Sequence, residues 1–176
     1  MIQRQHHVKI FLLDQPPKAE VIDLALHLVS EAGISTALAG SASCNVGFNP
    51  ARDQWDANAV LSNCVDRLHE TDRPSLILSA RDMYVDFLNF VFGLARRDRQ
   101  AAVVSWHRLE HSDLRVFGSR LAKEIVHEIG HLEGLAHCSN PDCVMWFSNT
   151  LEETDRKEAK FCDGCNYTRA ARGEQT

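Results

Sequence analysis

HEIGHLEGLAHC, residues 127–138, places three histidines, two glutamates and a cysteine within twelve positions. On a helix, His127 and His131 stand four apart and project from one face, one turn from each other. That spacing lets two ring nitrogens reach one tetrahedral zinc at about 2.0–2.1 Å. Glu128 neighbours the first histidine and can face a water beside the metal without occupying it. Gly134 follows three residues after His131 and adopts left-handed backbone geometry without steric cost. A helix stopped there can turn the chain back and deliver His137 as a third ligand. The fourth position stays open, as in catalytic rather than structural zinc sites. Chance co-occurrence of the five fixed residues is expected on the order of once in ten thousand such chains.

Downstream of this stretch the composition changes. Four of the six cysteines, Cys138, Cys143, Cys162 and Cys165, fall within residues 138–165. Two such knuckles suit a Cys₄ zinc site, which is closed to water and therefore structural. A segment of this size buries little core, so a metal staple has a physical purpose. Two disulfides or a redox C-x-x-C are the alternatives. No secretory signal supports the first, and FCDGC does not follow a strand in a thioredoxin-like unit. Cys44 and Cys64 have no partner spacing and read as ordinary thiols. The boundary falls at His137, dividing an α/β lobe with the active-site helix (1–137) from a Cys-bearing C-terminal lobe (138–176).

Upstream, VKIFLL (8–13) reads as a buried strand before the Pro16–Pro17 turn. Residues 19–32 carry apolar side chains at helical spacing, with Gly33 as a cap. ISTALA (34–39) and SLILSA (75–80) are further strands, and a helix covers Ala57 to Leu68. The Gly-, Ser- and Asn-rich stretch 40–55 reads as a surface loop. LNFVFGLA (88–95) and AAVVSW (101–106) form an adjacent pair of strands across the charged turn RRDRQ. The active-site helix is expected over 119–134. His107 and His111 lack a glycine or a third ligand and read as surface residues; His6, His7, His27 and His69 carry no pattern.

The chain has 176 residues, 44% of them hydrophobic and 24% charged, with a formal net charge of −5. Its nineteen Lys and Arg are dispersed, which favours neither nucleic acid nor an anionic membrane surface as a partner. No run approaches the roughly 18 apolar residues of a membrane span. A cytoplasmic protein is expected, with a monomer as the default.

The motif HExxHxxGxxHC, a second Cys, a Met two residues on and a distant C-x-x-C together resemble the archaemetzincin family of metalloproteases. HEIGHLEGLAHCSNPDCVM and FCDGC carry that resemblance, extended by FLNFVFGLA over roughly residues 80–165. It implies an α+β, metzincin-like fold: a twisted mixed β-sheet, a backing helix, an active-site helix, and a small zinc-stapled C-terminal lobe ending in a helix from Phe161 or Cys162. It implies a methionine turn at Met145 beneath the metal, and a strand within or next to 88–95 that binds extended peptide by strand addition. Two departures stand out. Glu133 puts a charge, expected to face solvent, between His131 and Gly134, and neither Trp146 nor Phe147 offers an assisting hydroxyl.

The expected activity is hydrolysis of a peptide or small protein. The implied cofactors are two zinc ions: a catalytic one on His127, His131 and His137, and a structural one on Cys138, Cys143, Cys162 and Cys165. Glu128 is the general base, and Gly134 and Met145 are supporting residues. Two other readings are a zinc-stabilised peptide-binding or scaffold protein with little turnover, and a zinc hydrolase of non-peptide amides. The intact Glu128 argues against the scaffold, since a pure binding site needs no base there.

Overall fold

The computed structural model describes residues 7–68 and 74–173. His6 and His69 lie outside them. The strands β1 (His7–Leu13), β2 (Ser35–Ala42), β5 (Ser75–Ser79), β7 (Gly93–Arg96) and β8 (Ala101–Ser105) form one sheet in the order β2-β1-β5-β8-β7. Four of them run parallel, and β7 closes one edge antiparallel to β8. Short strands β3 (Phe48–Asn49), β4 (Gln54–Asp56) and β6 (Met83–Tyr84) form a second, three-stranded sheet. The 40–55 stretch therefore holds the end of β2 and two strands rather than a plain loop.

Helices cover both faces of the main sheet, which is why β5 and β8 are buried at every position. Alternate side chains serve opposite layers. Leu76, Leu78, Ala102 and Val104 pack with α1 (Ala19–Glu31) and α3 (Leu114–Leu132). Ile77, Ala101 and Val103 pack with α2 (Ala57–Leu68). Cys44 and Cys64 are buried in this second layer, and burial lifts the Cys64 thiol to about 12, leaving it unreactive.

Two expectations shift. The active-site helix begins at Leu114, five residues earlier than expected, because Asp113 caps it by accepting from the Arg115 N–H. The run 88–95 is strand only from Gly93. Its earlier part is a turn-rich segment with a single bridge, Met83 to Val91. The aromatic residues Phe90 and Phe92 that made it read as strand pack edge to face beside the cleft.

Beyond α3 the chain forms α4 (Leu151–Arg156) and ends in α5 (Asp163–Gly173). Cys143, Val144, Met145 and Phe161 belong to the same buried cluster as α3 and the sheet. No helix among the described residues is long and apolar enough to cross a membrane.

Candidate metal centre and cleft

Helix α3 delivers His127 and Glu128 from its buried face and His131 one turn later. It stops where the sequence predicts. Gly134 has φ of +89°; its N–H donates to the His131 carbonyl and that of Leu135 to the Gly130 carbonyl. These two bonds are the paired closure of a Schellman motif, with Leu135 buried beneath it. The reversal brings the His137 ring to within 5.3 Å and 4.8 Å of the His127 and His131 rings, centroid to centroid.

The ring nitrogens are oriented for a metal. His127 Nδ1 lies 2.8 Å from the Val144 carbonyl and His131 Nδ1 lies 2.9 Å from the Leu135 carbonyl, so each Nδ1 carries the donated proton. Each Nε2 is then a bare lone pair, and the two stand 3.1 Å apart. Two acceptors cannot hydrogen-bond to each other; a shared cation accounts for the approach, since the edge of a zinc–nitrogen tetrahedron is about 3.3 Å. Burial lowers the pKa of all three rings, His127 most, and keeps them in the neutral form a metal requires. His137 is the exposed member, with the Phe147 ring packed 4.8 Å away.

Met145 is fully buried beneath α3, where Gly130 leaves it room. A Cβ at residue 130 would collide with the Met145 sulfur. The same turn joins the two clusters, as the Cys138 N–H donates to the Met145 carbonyl and Val144 holds His127.

The four cysteines are all free thiols. Their ligand atoms lie within 4.8 Å of one another, with Cys138–Cys162 sulfurs 3.8 Å apart and Cys143–Cys165 sulfurs 3.7 Å apart. A disulfide needs about 2.05 Å, whereas the edge of a tetrahedral zinc–thiolate site is about 3.8 Å. The Cys165 N–H, at the start of α5, lowers the Cys162 thiol to about 7. Three histidines and four cysteines thus form two separate groups that could each hold a metal.

A cleft of about 420 Å³ runs past the histidines. One wall is β7 with its preceding segment; the other is Phe147 to Asn149. Glu128 lies between β7 and the rings and makes no hydrogen bond or close ion pair among the described residues. Burial lifts its carboxyl well above the ordinary range; Glu124 pushes the same way and Lys157 opposes. Gly93 makes this placement possible, because a Cβ there would stand 2.5 Å from Glu128 Oε1.

Several residues of this region carried no sequence signal that was read. Lys157 is fully buried and pairs with Glu124 at 3.0 Å in the cleft wall. Arg120 holds Asp155 through two bonds of 2.7 and 2.6 Å, and Lys123 donates to the Thr154 and Asp155 carbonyls. Helix α4, which receives these contacts, was legible as the capping box Thr150 to Glu153. Glu133 does not face solvent as expected. It forms a two-bond ion pair with Arg169 of α5, whose guanidinium stacks on Phe161. His107 and His111 are exposed.

The chain is similar to known peptidases in sequence and in fold. The sequence profile of peptidase family M54 matches residues 38–169. An archaemetzincin from Saccharolobus solfataricus is 43% identical over 127 residues, spanning 68% of each chain. The crystal structure of an archaemetzincin from Methanopyrus kandleri superposes with a TM-score of 0.84 at 32% identity, over 99% of each chain. That of a zinc-dependent peptidase from Methanocorpusculum labreanum gives 0.81 at 29% identity, over 92% of this chain and 99% of that one.

Proposed function

Because the chain belongs to peptidase family M54, the archaemetzincins, and is a zinc metallopeptidase, we propose that it cleaves peptide bonds with Glu128 as general base. His127, His131 and His137 would hold the catalytic zinc, and Cys138, Cys143, Cys162 and Cys165 a second, structural one. Zinc, when bound by the histidines, supplies an acidified water and a Lewis acid that polarises a carbonyl.

The chain's own residues supply the rest. Two carboxylates line the cleft, and Glu124 is committed to Lys157 and to the Thr154 hydroxyl. Glu128 is the uncommitted one. As a carboxylate it is free to take a proton from the attacking water and pass it to the leaving amine. The observation that carries this reading is the partnerless Glu128 carboxylate beside three converging imidazoles.

Binding follows from β7. As the edge strand it has one side without a β-partner among the described residues, and Gly93, Leu94 and Ala95 line the cleft. An extended peptide would add there by strand pairing. The turn carrying Val144 and Met145 positions His127 from below. The segment 138–176 would act as a metal-stapled part of one catalytic domain. A cytoplasmic, reducing setting belongs to this reading, since four thiols ready for zinc serve only where they stay reduced.

The test incubates zinc-loaded protein with a mixed peptide library and reads new termini by mass spectrometry, with Glu128→Ala in parallel. Cleavage by the wild type alone is the expected result. Cleavage by neither protein, at full metal occupancy, would favour a zinc-stabilised peptide binder or a substrate narrower than the library samples.

A further inference from the structure

Between β6 and β7 the chain displays Phe87 in a costly manner. Its φ is +72°, in the left-handed region that bulky residues avoid. Its side chain is wholly exposed, with a relative exposure of 104%. Neither the backbone nor the ring gains from this placement within the chain.

The placement is enforced from beneath. Arg52 Nη2 donates to the Leu88 and Asn89 carbonyls, each at 3.0 Å, and Gln54 Nε2 donates to the Asn89 carbonyl at 3.0 Å. The Leu88 N–H closes the turn onto the Val85 carbonyl at 3.1 Å, and the Val91 N–H bonds the Met83 carbonyl at 2.8 Å. The Arg52 guanidinium itself stacks 4.2 Å over the Tyr84 ring. Both ends of the loop are therefore clamped to the small sheet. Val85, Leu88 and Phe90 on either side of Phe87 line the same cleft as His127 and Glu128.

We propose that Phe87 is a substrate-binding residue that grips an apolar or aromatic side chain of the bound peptide, away from the scissile bond. The proposal rests on the peptidase reading of the cleft. A peptide side chain fits better than a folded partner. Phe87 is one exposed ring following the exposed Asp86, far short of the roughly 800 Å² per side of a stable protein interface. Its chain neighbours Val85, Leu88 and Phe90 line the cleft, where a peptide along β7 would already be held.

Phe87→Asn tests this, because asparagine tolerates left-handed geometry and carries no ring. The variant should melt at the wild-type temperature or up to about 4 °C above it, as strain is relieved and no burial is lost. A clear fall in melting temperature would overturn the strained-display argument. In parallel, zinc-loaded Glu128→Ala protein, with and without Phe87→Asn, is used to retain peptides from a random decapeptide library. Retained peptides should be enriched in Phe, Tyr, Leu and Ile, and the second substitution should cut that enrichment by about 3–10-fold. No enrichment, or enrichment that survives Phe87→Asn, would refute the proposal. Wild-type protein that cleaves none of the retained peptides would count against the peptidase reading alone.

Discussion

The two groups that could hold a metal stand on one stretch of chain, yet they are built oppositely. The histidine group draws two residues from a long buried helix and one from the turn after it. It leaves His137 exposed at a cleft and sets an uncommitted carboxylate alongside. The cysteine group draws all its residues from the segment after that helix and pairs its sulfurs at 3.7 and 3.8 Å. With a zinc in each, the first arrangement would leave room for a reacting water and the second would complete a tetrahedron with protein alone. Ligand type matters less to this distinction than what stands beside the ligands.

The largest expected effect tests that asymmetry. Glu128→Ala should lower kcat/KM by about 10²–10⁴-fold while zinc content, read by atomic absorption, stays at the wild-type value. Equal activity would remove Glu128 from the chemistry. Next comes the bridge between the groups, where Cys138 bonds Met145 and Val144 bonds His127. Replacing Cys162 and Cys165 by serine should weaken zinc binding at the histidines by about 10–100-fold in a competitive chelator titration. An unchanged affinity would show that the two groups are independent.

Gly93→Ala probes the carboxylate's seat. A methyl group 2.5 Å from Glu128 Oε1 must displace the acid, and kcat/KM should fall by about 10–10²-fold with zinc content unchanged. Glu128→Asp added to Gly93→Ala should recover melting temperature relative to Gly93→Ala alone. Without that recovery, the clash is not the cause.

The smallest effect belongs to Asp155, whose carboxyl Arg120 holds below the usual range. A depressed folded-state pKa contributes stability above the unfolded value of about 3.9, and that contribution is lost as pH falls through the folded value. Asp155→Asn should therefore cost under about 1 kcal/mol at neutral pH, this carboxylate being partly exposed. The gap to wild type should narrow below about pH 4 in urea titrations. A gap that stays constant with pH would assign the loss to packing.

Much of this was legible because local rules and tertiary context agreed. Strands β1, β5 and β8 are continuous apolar runs because both faces are covered, and the helix through His131 ends where Gly134 permits its cap. The misread segments are those where burial arises from something other than a sheet or a helix. Leu88, Phe90, Val91 and Phe92 line a cleft, and apolarity alone does not separate that from a strand. Glu133 was expected to face solvent because its partner, Arg169, lies 36 residues away on a helix whose docking no local pattern announces. Lys157 is invisible for the same reason: a buried lysine is intelligible only once Glu124 is seen beside it. Gly93 was one glycine among nine until the carboxylate behind it was placed.

The most direct test of the difference between the two groups is stepwise zinc removal, following zinc per chain, peptidase activity and near-ultraviolet circular dichroism on one sample. Activity should vanish with the first zinc released while the dichroism is unchanged, and tertiary signal should be lost only with the second. Activity that survives the first release, or structure that collapses with it, would contradict the assignment of catalysis to the histidines and of stability to the cysteines.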